Sequence, residues 1–310
     1  MRRVVSRLLN ELRPCEFDLS IGNRPNPCNL RKFFAMNILN PSAVISTFHI
    51  PESPQLQVLS TSVGLLIASE ALDFYLGSLV FGLIASLTPL VVGVRDASSK
   101  FDFLNVGALL AQENRFVVFL LLGLTLSVIG NVLLIPSKSN YNHSTKHKTS
   151  SAHSRLKRAK TFTSLGHIAY TLAFASSIDF SSKGDFRWAD FGMTFAFGAL
   201  SADRLGLFQK ERQYDSRFEI SKEMQWPVVV YWFLLIIMVS TANATDKGFQ
   251  LIASAWLLLL SDLLVLTNAF GVEDEMTKDD RARKWKESMI SSLGWTLYYL
   301  SQFLLVGCIY

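Results

Sequence analysis

"AWLLLLSDLLVLTNAF", residues 255–270, sets one carboxylate inside an otherwise greasy run. Four leucines precede Ser261, and Leu-Leu-Val-Leu follows Asp262. A membrane span takes about 20 mostly apolar residues, and this run supplies most of one. An ionised side chain near mid-span is disfavoured by about 2.5–3.5 kcal/mol on insertion scales, so it faces a bundle interior or a wet cavity. Asp262 therefore asks for neighbouring helices.

The rest of the chain supplies them. Of 310 residues, 50% are hydrophobic and only 18% charged, and the mean hydropathy is +0.28. Soluble domains carry about 25% charged residues. Long uncharged segments alternate here with crowded polar ones, which is the pattern of a polytopic membrane protein. Apolar segments fall near 55–72, 74–93, 115–135, 160–178, 190–207, 226–243, 249–270 and 291–310. The predicted fold is all-α, an integral membrane bundle of about eight transmembrane helices. The first two segments nearly touch and read as a tight hairpin broken at Glu70 and Asp73. The fourth and fifth are rich in Ser, Thr and Gly, as are segments buried between other helices, and Gly123, Ser127 and Asn131 repeat that pattern on the third.

Residues 1–54 read as a polar N-terminal tail, largely disordered or lying on the surface, with five prolines between 25 and 54. "MRRVVSRLLNELRP" lacks the apolar core and cleavage site of a secretory signal; an organelle presequence is the alternative. Cys15, Cys28 and Cys308 have neither disulfide-framework nor metal-ligand spacing, and no cofactor motif or metal site is expected. The net charge of +5 reads as loop charge rather than a nucleic-acid footprint.

Lysine and arginine concentrate in the loops after the third, fifth and seventh spans. Residues 136–160 hold seven of them and no acid. The positive-inside rule then puts these loops in the cytoplasm and both termini on the other face. The seven basic residues of the tail oppose this, but they lie too far from the first span to weigh strongly. The 136–160 loop is a topology determinant or a surface for anionic headgroups, and composition leaves both open. The sequon Asn243-Ala-Thr245 faces the lumen in this scheme, but it abuts a span and reads as unmodified. Asn142-His-Ser144 is cytoplasmic.

With that orientation, Asn131, His167, Asp203, Tyr231, Asn268, Tyr298 and Gln302 fall in the cytoplasmic half, and Asp262 lies at or just below the midplane. This predicts a polar cavity open to the cytoplasmic leaflet. Trp226, Tyr231 and Trp232 have a plainer reading as interfacial anchors. Asp203 and Arg204 read as a surface pair at a helix end, and Asn131 and His167 as hydrogen-bonding links between helices. Asp262 is a functional candidate by position. An apolar bundle disfavours the charged form of a carboxyl group, which suits a general acid and a proton-coupled carrier equally.

Four segments bear a resemblance. "GLTLSVIGNVLLIP", "FTSLGHIAYTLAF", "AWLLLLSDLLVLTNAF" and "LYYLSQFLLV" resemble, in order, the best marked segments of the YhhN family, eight-helix membrane proteins that include the lysoplasmalogenases. "SLTPLVVG" is similar to that family's second span, and the likeness runs over about residues 57–310. It implies hydrolysis of the vinyl ether of lysoplasmalogens to a fatty aldehyde and a glycerophospho-base. The partner is then a membrane lysophospholipid, in the endoplasmic reticulum or another internal membrane.

The family's two aspartates, on spans three and seven, imply an acid and a base. Asp262 matches the second, and Asn131 stands in place of the first. An amide cannot move a proton in this way, though it can orient a water. The resemblance thus implies catalytic roles for Asp262, His167 and Asn131, with Asp203 a distant substitute. It implies substrate contacts for Ser127, Tyr170, Ser261, Asn268, Tyr298, Tyr299 and Gln302. The competing expectation is a degenerate lipid-binding or transport protein of the same fold. A proton-coupled solute carrier would need an inverted repeat, and the sequence shows none.

Overall fold

The computed structural model of the chain describes residues 48–51, 53–72, 74–100, 111–134, 150–178, 186–204, 207, 222–245, 248–270 and 280–309. The polar tail, up to residue 47, and Asn142 lie outside them. Eight α-helices and no strand occur among the described residues: α1 Ser53–Ala71, α2 Tyr75–Ser98, α3 Arg115–Leu134, α4 Ser150–Ser176, α5 Trp188–Arg204, α6 Lys222–Ala244, α7 Phe249–Phe270 and α8 Asp280–Val306. Helices α2, α3, α6, α7 and α8 are long and apolar enough to cross a membrane. The remaining three are shorter or more polar. The chain is a multi-pass membrane protein.

Helix boundaries depart from the apolar segments in two informative places. Helix α4 begins at Ser150, well before the apolar stretch at 160, and α8 begins at Asp280 rather than near 291. Both added segments hold Ala, Lys, Arg or Leu and neither Gly nor Pro, so nothing stops the helix where hydrophobicity does. Residues counted as loop charge are thereby carried on helices.

The α1–α2 hairpin is as tight as expected. Leu72 and Phe74 donate backbone hydrogen bonds to Ala68 and Ser69, and α2 starts one residue later. Glu70 does not break α1. It accepts hydrogen bonds from Ser291 Oγ and Trp295 Nε1 of α8, both at 2.9 Å, and so fastens α1 to α8.

Neighbours pack as a closed circuit: α2 on α3, α3 on α4, α4 on α6, α6 on α7, α7 on α8, and α8 back on α2. Helix α1 lies against α2 and α8, and α5 against α6. The closest seam is α3–α4. The Tyr170 ring lies where a Cβ on Gly123 would stand, and Gly166 sits against Ser127 Oγ and the Gly123 carbonyl. Small residues at these positions let two backbones meet.

Asn243 joins three helices. Its Nδ2 donates to Thr194 Oγ1 of α5 at 2.8 Å, and its Oδ1 accepts from Trp256 Nε1 of α7 at 3.2 Å. Thr245 of the same sequon is buried and donates to the Ala242 carbonyl. At the same end of the bundle, Gln250 of α7 bonds the His49 backbone and the Leu304 carbonyl.

Candidate functional site

Helix α4 builds one side of the site. Lys160, His167 and Tyr170 are spaced seven and three residues apart and so share a face. Across from them, α7 brings Asp262 and α6 brings Tyr231. Lys160 Nζ lies 3.2 Å from Asp262 Oδ1 and 3.0 Å from the Tyr231 hydroxyl, and 4.2 Å from the centre of the Tyr231 ring. His167 Nε2 lies 3.3 Å from Asp262 Oδ2 and 3.2 Å from the Tyr231 hydroxyl. Asp262, His167 and Tyr231 are all buried. Three side chains from two helices thus converge around the carboxylate of a third.

The solitary carboxylic acid expected from the sequence is therefore corrected. Asp262 faces an ammonium and an imidazole, and in such a pair the carboxylate accepts hydrogen bonds rather than donating them. Burying two charges together offsets much of the desolvation that each would suffer alone. The interfacial-anchor reading also fails for Tyr231 and Trp232, which are 2% and 3% exposed. It fits Trp226, which is 75% exposed. Trp232 is held inside by its Nε1 donating to the Gly198 carbonyl of α5.

A second polar cluster lies on the α2–α3–α8 side. Asn131 Nδ2 donates to Ser86 Oγ at 3.2 Å, and Ser86 is 3.0 Å from the Tyr299 hydroxyl. Tyr170 donates to Gln302 Oε1 at 2.6 Å and lies 3.2 Å from Ser127 Oγ. The Tyr298 hydroxyl faces the Asn131 and Ser127 side chains and is within electrostatic reach of Asp262, so it stands between the two clusters.

Nearly every residue singled out from the sequence falls in one of these clusters. Asp262 and His167 belong to the first. Asn131, Ser127, Tyr170, Tyr298, Tyr299 and Gln302 belong to the second. Ser261 serves packing instead, with its Oγ donating to the Gly294 carbonyl of α8. Asn268 is exposed, two turns from Asp262, and Asp203 is exposed at the end of α5.

Lys160 and Ser86 are the additions, and Tyr231, placed in the predicted cavity by depth but given a plainer reading as an anchor, joins them. Lys160 was counted with the basic loop, although it also opens the fourth apolar segment, where its spacing of seven from His167 places it on the same face. Three buried atoms here lack a hydrogen-bond partner: His167 Nδ1, Asp262 Oδ2 and Gln302 Nε2. Asp262 Oδ2 is close to His167, but the direction is poor for a hydrogen bond. Buried polar atoms are nearly always paired, so a group of open ones marks a place for water or ligand.

Fold and site together define an all-helical integral membrane protein with an ion-paired polar centre inside its bundle. Comparison with protein families matches residues 102–309 to the YhhN family, and the chain belongs to that family. The matched stretch runs from before α3 to the end of α8 and so contains both Asp262 and His167; α1 and α2 precede it. No curated protein and no solved structure matches the chain.

Proposed function

We propose that this chain hydrolyses the vinyl-ether bond of lysoplasmalogens, within the bundle and from the cytoplasmic leaflet of an internal membrane such as the endoplasmic reticulum. The observation that carries this reading is the Asp262–His167 pair with His167 Nδ1 left open. Family membership supports the lipid substrate. The lysine-rich loop joined to the Lys160 end of α4 supports the leaflet.

In the proposed reaction Nε2 stays with Asp262 and Tyr231, and Nδ1 meets the substrate. A proton passes from Nδ1 to the β-carbon of the enol ether, leaving an oxocarbenium ion at the carbon bonded to oxygen. The Asp262 carboxylate stabilises first the imidazolium and then this cation, as fixed charges do in a water-poor site. Asn131 uses Nδ2 on Ser86 and keeps Oδ1 to orient a water. That water adds to the cation and returns its proton to the imidazole. The hemiacetal then collapses to a fatty aldehyde and the glycerol hydroxyl.

The test is aldehyde release from lysoplasmalogen by purified protein in detergent. Asp262→Asn and His167→Ala each lower it by about 10²–10⁴-fold, the range for a lost acid–base group. Activity that survives both substitutions rules out these roles. The competing reading, a protein that binds or moves the lipid without cleaving it, is favoured by Asn131, which stands where a second carboxylate is expected. It gives lipid retention with no aldehyde from wild type.

A further inference from the structure

We propose that Lys160 is the anchor for the phosphate of a single-chain phospholipid, and that the bound phosphate takes Asp262's place beside the ammonium. This rests on the reading above only in taking a lysophospholipid as the ligand. An ammonium has three donors. Lys160 spends two, on Asp262 and the Tyr231 hydroxyl, and apart from the face of the Tyr231 ring the described residues offer no hydrogen-bond acceptor for the third. Its side chain stays 12% exposed, twice the 6% of Asp262, so the ammonium is the reachable end of the pair. The pair is also one-pronged, because Asp262 offers Oδ1 to Lys160 and turns Oδ2 toward His167.

Position adds to this. Lys157, one turn nearer the start of α4, is exposed, so basic charge leads from the surface inward to Lys160. A phosphate entering an apolar bundle needs a cation, and lysine serves as a point-charge partner for it. Lys160 and His167 both reach Asp262, so a lipid with its phosphate at Lys160 sets the ether on its glycerol backbone near His167. With phosphate bound, Asp262 is left to His167 alone. Headgroup recognition and the readiness of the Asp262–His167 pair are then one event.

The experiment measures retention of two radiolabelled, uncleavable lipids by full-length protein in detergent micelles: a saturated 1-alkyl lysophosphatidylcholine and the matching 1-alkylglycerol. Wild type holds the phosphate-bearing lipid at least tenfold more tightly. In the variant Lys160→Met/Asp262→Asn, neutral on both sides, the ratio of phosphate-bearing lipid to alkylglycerol retained falls to about one. Inorganic phosphate and glycerophosphocholine do not displace the lipid at equal concentration. A double variant that keeps the preference, or a wild type without one, overturns the proposal. Displacement by inorganic phosphate makes the site one for free phosphate and overturns the lipid assignment. No cleavage is measured, so the two readings fail separately: preference without aldehyde release removes only the hydrolase, and aldehyde release without preference removes only the anchor.

Discussion

Lys160 Nζ lies 3.2 Å from Asp262 Oδ1, although the two residues are 102 positions apart in the chain. Removing either partner leaves a buried charge uncompensated, which costs about 3–5 kcal/mol. Lys160→Met and Asp262→Asn are each expected to lower thermal stability in detergent by an amount in that range. Lys160→Met/Asp262→Asn is expected to recover more than half of the loss, because neither side then carries a charge. Losses that simply add would show that the two residues do not depend on each other.

Asn131 is buried and tied to Ser86 at 3.2 Å. Asn131→Asp changes almost no volume and restores a second carboxylate. Aldehyde release from lysoplasmalogen is expected to rise at least tenfold over wild type. No change or a fall would remove Asn131 from the position of the lost acid–base group.

The α3–α4 seam gives a packing test. A methyl group on Gly123 overlaps the Tyr170 ring, so Gly123→Ala forces that ring from its bonds with Gln302 and Ser127. Overpacking of this kind costs about 1–3 kcal/mol. Gly192→Ala on α5 meets nothing within 4 Å and serves as the control, with a gain of about 0.5–1 kcal/mol from helix propensity and no loss. Equal melting shifts for the two variants would contradict the seam.

Asn243 sits in a glycosylation sequon, yet both ends of its amide are engaged between α5 and α7. Protein made in a glycosylating host is expected to carry no sugar there, so endoglycosidase treatment leaves its mass at this peptide unchanged. Asn243→Ala is expected to lower stability by about 1–3 kcal/mol, since Thr194 and Trp256 each lose a partner. A glycan on Asn243 would mean that these bonds do not form.

How much was legible depended on what each residue's neighbours in sequence revealed. Asp262 and His167 stood out because a polar side chain in an apolar helix has few solutions other than a partner inside the bundle. The short polar patterns of α3, α4 and α8 were legible for the same reason, and the second cluster gathers most of them. Lys160 was not. In a linear reading it is both the last charge of a basic run and the first residue of the fourth apolar segment, and the continuation of α4 back to Ser150 carries it as a helical side chain on the His167 face. Tyr231 was read as an interfacial anchor from its place near the start of a span; packing of α6 against α4 buries it instead.

The sequence by itself determined the class of molecule: an all-helical membrane bundle, with polar residues held on inward faces and family motifs in order. Hydrophobic length and helical periodicity are local properties, and a chain displays them without being folded. Tertiary structure alone decided which charges meet. It matched Asp262 with Lys160 and His167, and Asn131 with Ser86. Ion pairing acts over a few ångströms in space, and separation along the chain places no limit on it.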